Sequence, residues 1–286
     1  MYPVPCALYP VLKMKLTVCI IFLLFFTRAF SQTYDELIDF SFKYIEMNDF
    51  QSAETSLKEA LRLEPANQRN VLLLSNLGTI QRSLGKQEDA VISYTAALSR
   101  APRNVTFLAN RASLYTEMGL AENAITDYTS LLWIEEYNED ALYERGLLYL
   151  RVKNFHAAQT DFEKIVEINP NTLSGRMGIA SLCKLRKEYD EAEKIYAFLL
   201  DKVNDNADIY AGRAELYLLT EKNSKAMSDI NKSISINPQN PYTYMLRARV
   251  KLLQYEKVSA RSDIEKAISL GYSPEDAAEL LQFCKY

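Results

Sequence analysis

Seven alanines in a fixed rhythm constrain this chain more than any other feature. Ala53, Ala90, Ala124, Ala158, Ala192, Ala226 and Ala260 are separated by a first step of 37 residues and then five steps of 34. A constant period of roughly 20–50 residues marks a chain built from one small supersecondary unit copied end to end. With each alanine set at position 20 of its unit, the copies run 34–67, 71–104, 105–138, 139–172, 173–206, 207–240 and 241–274. Gln68 to Asn70 are inserted after the first.

The remaining positions then state what the unit is. Position 8 is small throughout (Ser41, Gly78, Ala112, Gly146, Ala180, Ala214, Ala248), and position 24 is large (Leu57, Tyr94, Tyr128, Phe162, Tyr196, Ile230, Ile264). A small residue opposite a large one is what two close antiparallel helices need. Pro65, Pro102, Pro170 and Pro238 occupy position 32, where a proline stops the second helix. Thr33, Asn70, Asn104, Asn138, Thr172, Asn206 and Asn240 precede the first helices, and all are N-capping types. With only 8 Gly and 9 Pro, the chain lacks the turns of an all-β protein.

Two polar positions vary together. Arg111, Arg145, Arg213 and Arg247 at position 7 accompany Asp127, Asp161, Asp229 and Asp263 at position 23, and the other three units lack both. This covariation within the chain predicts an Arg–Asp bridge between the two helices of a unit, a structural device rather than a functional row.

These units resemble the tetratricopeptide repeat family over nearly all of residues 34–272. Glu136, Asn204 and Tyr272 depart from the family's proline, and Arg176 from its large position 4. The resemblance implies an all-α fold, an α-α superhelix (solenoid) of seven helix pairs. Ser273 and Pro274 predict a capping helix within residues 273–286. It also implies that first helices line a concave groove that binds a peptide or partner protein. Positions 2, 5, 9 and 12 would face that groove, which makes Phe42, Arg82, Tyr143, Lys184, Glu215, Tyr242, Met245 and Arg249 the candidate partner-binding residues. The family's carboxylate-gripping subgroup needs a lysine at position 5, where the first two units carry Ile38 and Ser75.

The N-terminus follows different rules. Lys13 and Lys15 precede an apolar run from Leu16 to Thr27, about 18 Å as a helix and short of the ~30 Å hydrocarbon core. With small Ala29 and Ser31, residues 1–31 read as a signal peptide cleaved before Gln32, with Met14 an alternative start. The expected location is periplasmic or extracellular; the alternative is an uncleaved segment anchoring the chain to a membrane. Loss of Lys13, Lys15 and Arg28 takes 33 basic residues to 30 against 37 acidic ones, a net charge of −7 that disfavours nucleic acid as a partner.

Catalysis is not expected. His156 is the sole histidine, no Cys/His cluster suits zinc, and no phosphate loop or nucleophile elbow is present. No cofactor is therefore predicted. Cys183 replaces the tyrosine common at position 11 and is expected in the core, and Trp133 at position 29 is expected to pack near a repeat junction. Two functions fit: a protein-binding scaffold in the cell envelope, or a structural spacer in a larger envelope assembly whose groove is idle.

Overall fold

A computed structural model describes residues 32–284. The expected signal segment, residues 1–31, lies outside the described residues. Those residues form fifteen α-helices and no strand. They fall into two compact units that divide between Leu114 and Tyr115.

In the first unit, α1 (Tyr34–Glu46) packs on α2 (Phe50–Leu63), α2 on α3 (Asn70–Ser83), and α3 on α4 (Gln87–Arg100). Leu37, Ile38, Ala53, Leu57, Leu77 and Ile80 form its core. Helix α5 (Val105–Glu117) carries the chain across the division.

The second unit continues with α6 (Ala121–Leu132), α7 (Glu139–Arg151), α8 (Phe155–Ile168), α9 (Leu173–Leu185) and α10 (Tyr189–Lys202). Then come α11 (Ala207–Leu219), α12 (Asn223–Ile236), α13 (Pro241–Leu253), α14 (Lys257–Ser269) and α15 (Pro274–Phe283). Each helix from α6 to α14 packs on its successor, and α15 lies against α14 and α13. All seven period-setting alanines are fully buried.

The small-against-large rule operates within pairs and between them. A methyl added to Gly78 would lie 2.8 Å from the Tyr94 ring, and one added to Gly146 would lie 2.5 Å from Phe162. Phe162 also presses on Gly178 of the next pair, and Tyr196 presses on Gly212 in the same way, with its hydroxyl 2.7 Å from where a methyl would sit. Phe162 is thus clasped by the small residue of its own pair and by a glycine at position 6 of the following one, and Tyr196 meets a glycine at that same position.

A second device recurs in every unit. Residues at position 15 all have left-handed backbone: Asn48, Gly85, Gly119, Lys153, Lys187, Glu221 and Tyr255, at φ between 57° and 75°. In each, the amide at position 16 donates to the carbonyl at position 11 at 2.8–2.9 Å, as Asn154 N does to Tyr149 O. This 6→1 bond closes the first helix and reverses the chain. Glycine meets the left-handed requirement without a Cβ penalty, yet only two units use it.

The Arg–Asp bridges form in bidentate geometry. Arg145 Nε and Nη2 donate to Asp161 at 2.9 and 2.7 Å, Arg213 to Asp229 at 2.7 and 2.8 Å, and Arg247 to Asp263 at 2.8 and 2.6 Å. Arg111 and Asp127 share a repeat but fall on opposite sides of the Leu114–Tyr115 division. Burial raises the Asp161 carboxyl above its ordinary range in spite of Arg145.

Capping departs from expectation at two positions. Asn70 is not a cap: α3 begins at Asn70 itself, whose buried amide accepts from Tyr34 Oη at 2.9 Å and donates to Glu64 O at 2.6 Å. Thr172 precedes α9 without bonding its backbone, its hydroxyl meeting Ser174 Oγ at 2.9 Å instead. Thr33, Asn104, Asn138, Asn206, Asn240 and Ser273 each accept from a first-turn amide.

Successive pairs are also joined by carboxylates at position 21. Glu54, 2% exposed, receives Lys86 Nζ at 2.6 Å, Lys58 Nζ at 2.6 Å and Gln81 Nε2 at 3.3 Å. Glu193 receives Lys222 Nζ at 2.8 Å and Tyr217 Oη at 3.2 Å. In both cases the donors come from positions 11 and 16 of the next unit, with Lys58 an addition from Glu54's own helix.

Candidate partner-binding site

The sequence-predicted groove residues meet different fates. In the first unit, Phe42 on α1 is about half exposed. Arg82 on α3 is half-buried and donates to Ser113 Oγ at 2.9 Å. In the second unit, Tyr143 is half-buried beside Phe162, ring centroids 6.1 Å apart. Met245 is a correction: at 1% exposed it belongs to the core with Ala248, Ala260 and Ile264, and it offers no surface to a partner.

Lys184 on α9 and Glu215 on α11 form an ion pair. Burial works against the Glu215 charge, but Lys184 outweighs it and holds the carboxyl below its ordinary range. Lys184 is correspondingly held above its usual value, by the Tyr196 and Glu215 side chains against burial. Tyr242 joins the pair, its hydroxyl pushed up by burial and then by the Glu215 carboxylate. Positions 12 and 9 of successive units therefore face each other, as Arg82 and Ser113 also do, and part of the expected binding wall is spent on stacking.

Glu215 and Arg249 do reach an open cavity. They line a cavity of about 720 Å³ with Leu218, Leu219, Leu252, Leu253, Leu280 and Phe283, joined by Tyr255, Lys257 and Gln282. Helices α11 and α13 supply one wall and α15 the other. Leu219, Leu253 and Phe283 are each at least half exposed, so the cavity opens to solvent as a trough. Leu219 and Leu253 lie at position 13, outside the four positions expected to face the groove, whereas Leu218 and Leu252 lie at position 12, within them. The available signal was the doubled leucine at positions 12 and 13 of the last two units, Leu218–Leu219 and Leu252–Leu253.

Trp133 is also corrected. It is 83% exposed rather than packed at a junction, and it borders a cleft of about 400 Å³ with Leu132, Arg145 and Lys164. Cys183 is buried, and burial followed by nearby Glu188 raises its thiol to about 11, far from a nucleophile's range. No group of three or more metal-ligating side chains occurs among the described residues.

A tetratricopeptide repeat protein from Parabacteroides merdae matches with 46% identity and a TM-score of 0.83, over 89% of this chain and 99% of that one. The chain belongs to the tetratricopeptide repeat family. Tetratricopeptide repeat models match residues 44–104, 139–172 and 207–240. The pilF structure from Pseudomonas aeruginosa is 21% identical with a TM-score of 0.55, over 76% of this chain and 97% of that one. Yeast Tom70 is 17% identical at 0.54, over 82% of this chain and 59% of that one. These last two share the fold alone. No curated protein matches. As a tetratricopeptide repeat protein, the chain is a protein-interaction scaffold of a family that is generally non-enzymatic and binds protein or peptide partners.

Proposed function

We propose that this tetratricopeptide repeat protein is exported and binds a partner protein through the first-helix surface of its repeats, within the cell envelope. The observation that carries the reading is the open trough of about 720 Å³, where repeat positions 9 and 12 of two successive units converge. Exposed apolar surface of this kind, bordered by charge, is characteristic of protein-binding sites. Export is supported by the basic-then-apolar segment ahead of Gln32.

Two measurements test this. Mass spectrometry of the native protein is expected to find an N-terminus at Gln32, whereas a retained residue 1–31 segment would favour the anchored form. Cross-linked pull-down from envelopes is expected to lose its partner with Tyr143→Ala, Tyr242→Ala or Arg249→Glu. Unchanged recovery with all three would favour the spacer role instead.

A further inference from the structure

Comparing the repeats with one another separates what stacking needs from what it does not. Position 29 is polar in six units (Arg62, Ser99, Glu167, Asp201, Ser235 and Ser269). Position 33 is small or polar in the same six (Ala66, Arg103, Asn171, Asp205, Gln239 and Ser273). The third unit carries aromatics at both, Trp133 and Tyr137, and has Glu136 where four units have proline. Neither ring is spent on packing, since Trp133 is 83% and Tyr137 64% exposed. Six units stack without such rings, so these two answer to something outside the chain.

The rings border two clefts beside the connector that follows α6, of about 400 and 660 Å³. Trp133 lines the first, Tyr137 the second, and Glu136 and Lys164 line both. Lys164 Nζ donates to Glu136 Oε1 at 2.8 Å and lies 4.9 Å from the Tyr137 ring centroid, which holds the shared wall in place.

These surroundings narrow the ligand. The first cleft sets Arg145 and Lys164 against Glu136, and the second sets Glu136, Glu163 and Glu167 against Lys164. A polyanion such as nucleic acid therefore suits only the first cleft, and a polycation only the second. Leu132 and Leu142 are buried and Ile168 is 37% exposed, so the open apolar surface is largely the two rings. That is too little for the apolar centre of a protein interface of about 800 Å² per partner. A neutral pyranose meets every condition. Its C–H bonds, polarised by neighbouring oxygens, present a flat, weakly positive face to the negative face of an aromatic ring. Its hydroxyls both donate and accept, so they serve carboxylates, an ammonium and threonine hydroxyls alike.

We infer that Trp133 and Tyr137 form a platform for a neutral glycan chain, sugar rings stacking on the two aromatics and hydroxyls bonding to Glu136 and Lys164. The site shares no residue with the trough between α11, α13 and α15, so its failure leaves the scaffold reading as it stands.

Trp133 is the chain's sole tryptophan, so its fluorescence reads the site directly. The whole mature protein is titrated with cellohexaose, mannohexaose and chitohexaose as neutral probes, and with a heparin hexasaccharide and a chitosan hexamer as charged ones. At least one neutral probe is expected to shift the emission to the blue and saturate at millimolar concentration or below, while the charged probes bind more weakly or not at all. Calorimetric titration of that neutral probe should then find Trp133→Ala at least tenfold weaker and Tyr137→Ala several-fold weaker, with Trp133→Phe keeping most of the affinity. Melting temperatures should not change, because both rings are exposed. No emission shift with any neutral probe, tighter binding of a charged one, or full affinity in Trp133→Ala would overturn the inference.

Discussion

Glu54 is held ionised in the core by Lys58, Lys86 and Gln81. Burial alone would raise its carboxyl, but the three hydrogen bonds prevail and bring it to about 2. A carboxyl depressed on folding contributes stability that is present above its unfolded value of about 4.3 and lost as pH falls toward 2. Urea unfolding of wild type and Glu54→Gln is therefore expected to differ by about 3 kcal/mol near pH 6, with the gap closing between about pH 4 and pH 2. Asp161 behaves in the opposite sense, since burial outweighs Arg145 and its carboxyl is raised. Asp161→Ala strands a buried guanidinium and should cost about 3–5 kcal/mol in thermal denaturation. Arg145→Leu with Asp161→Ile should recover most of that loss, because desolvation of the pair offsets much of its attraction. The Arg–Asp bridges were legible because both members come and go together along the repeats. The Glu54 clamp was not, since its pattern recurs at one other junction, around Glu193, with tyrosine in place of glutamine.

At the scale of the helix pair, two kinds of position control geometry. The left-handed residue at position 15 closes every first helix, and Gly85→Ala should destabilise by about 1 kcal/mol. Lys187→Gly should gain a few tenths of a kcal/mol to about 1, by relieving the same strain at an exposed site. The packing glycines are less forgiving: Gly178→Ala drives a methyl into Phe162 and should cost about 1–3 kcal/mol, partly restored by Phe162→Leu. Calorimetry on these variants checks all three. The position 15 turn was hidden in the sequence because asparagine, lysine, glutamate and tyrosine fill it as well as glycine. Asn70 misled for a related reason: it has a capping side chain in the capping register, but Tyr34 and the Glu64 carbonyl claim both ends of its amide.

For the molecule as a whole, the period carried the fold class and the helix-pair register, since core packing repeats without exception. The trough was only half visible. Glu215 and Arg249 were found by position, whereas the leucines between them and all of α15's contribution depend on how the last helix lies against α13 and α14. Met245 shows the limit of positional inference, because position 5 is buried at Ile38, Ser75 and Ala211 as well and so serves packing rather than an open groove. The central claim is that the exposed first-helix surface at this end of the protein, and not the outer helix faces, receives a partner. Its most direct test is a photo-crosslinking amino acid placed at Leu253 and, separately, at Ile92, which is 66% exposed on α4. Irradiated envelopes are expected to give one discrete adduct from position 253 and none from position 92. An adduct from position 92 alone, or no adduct from position 253, would contradict the claim.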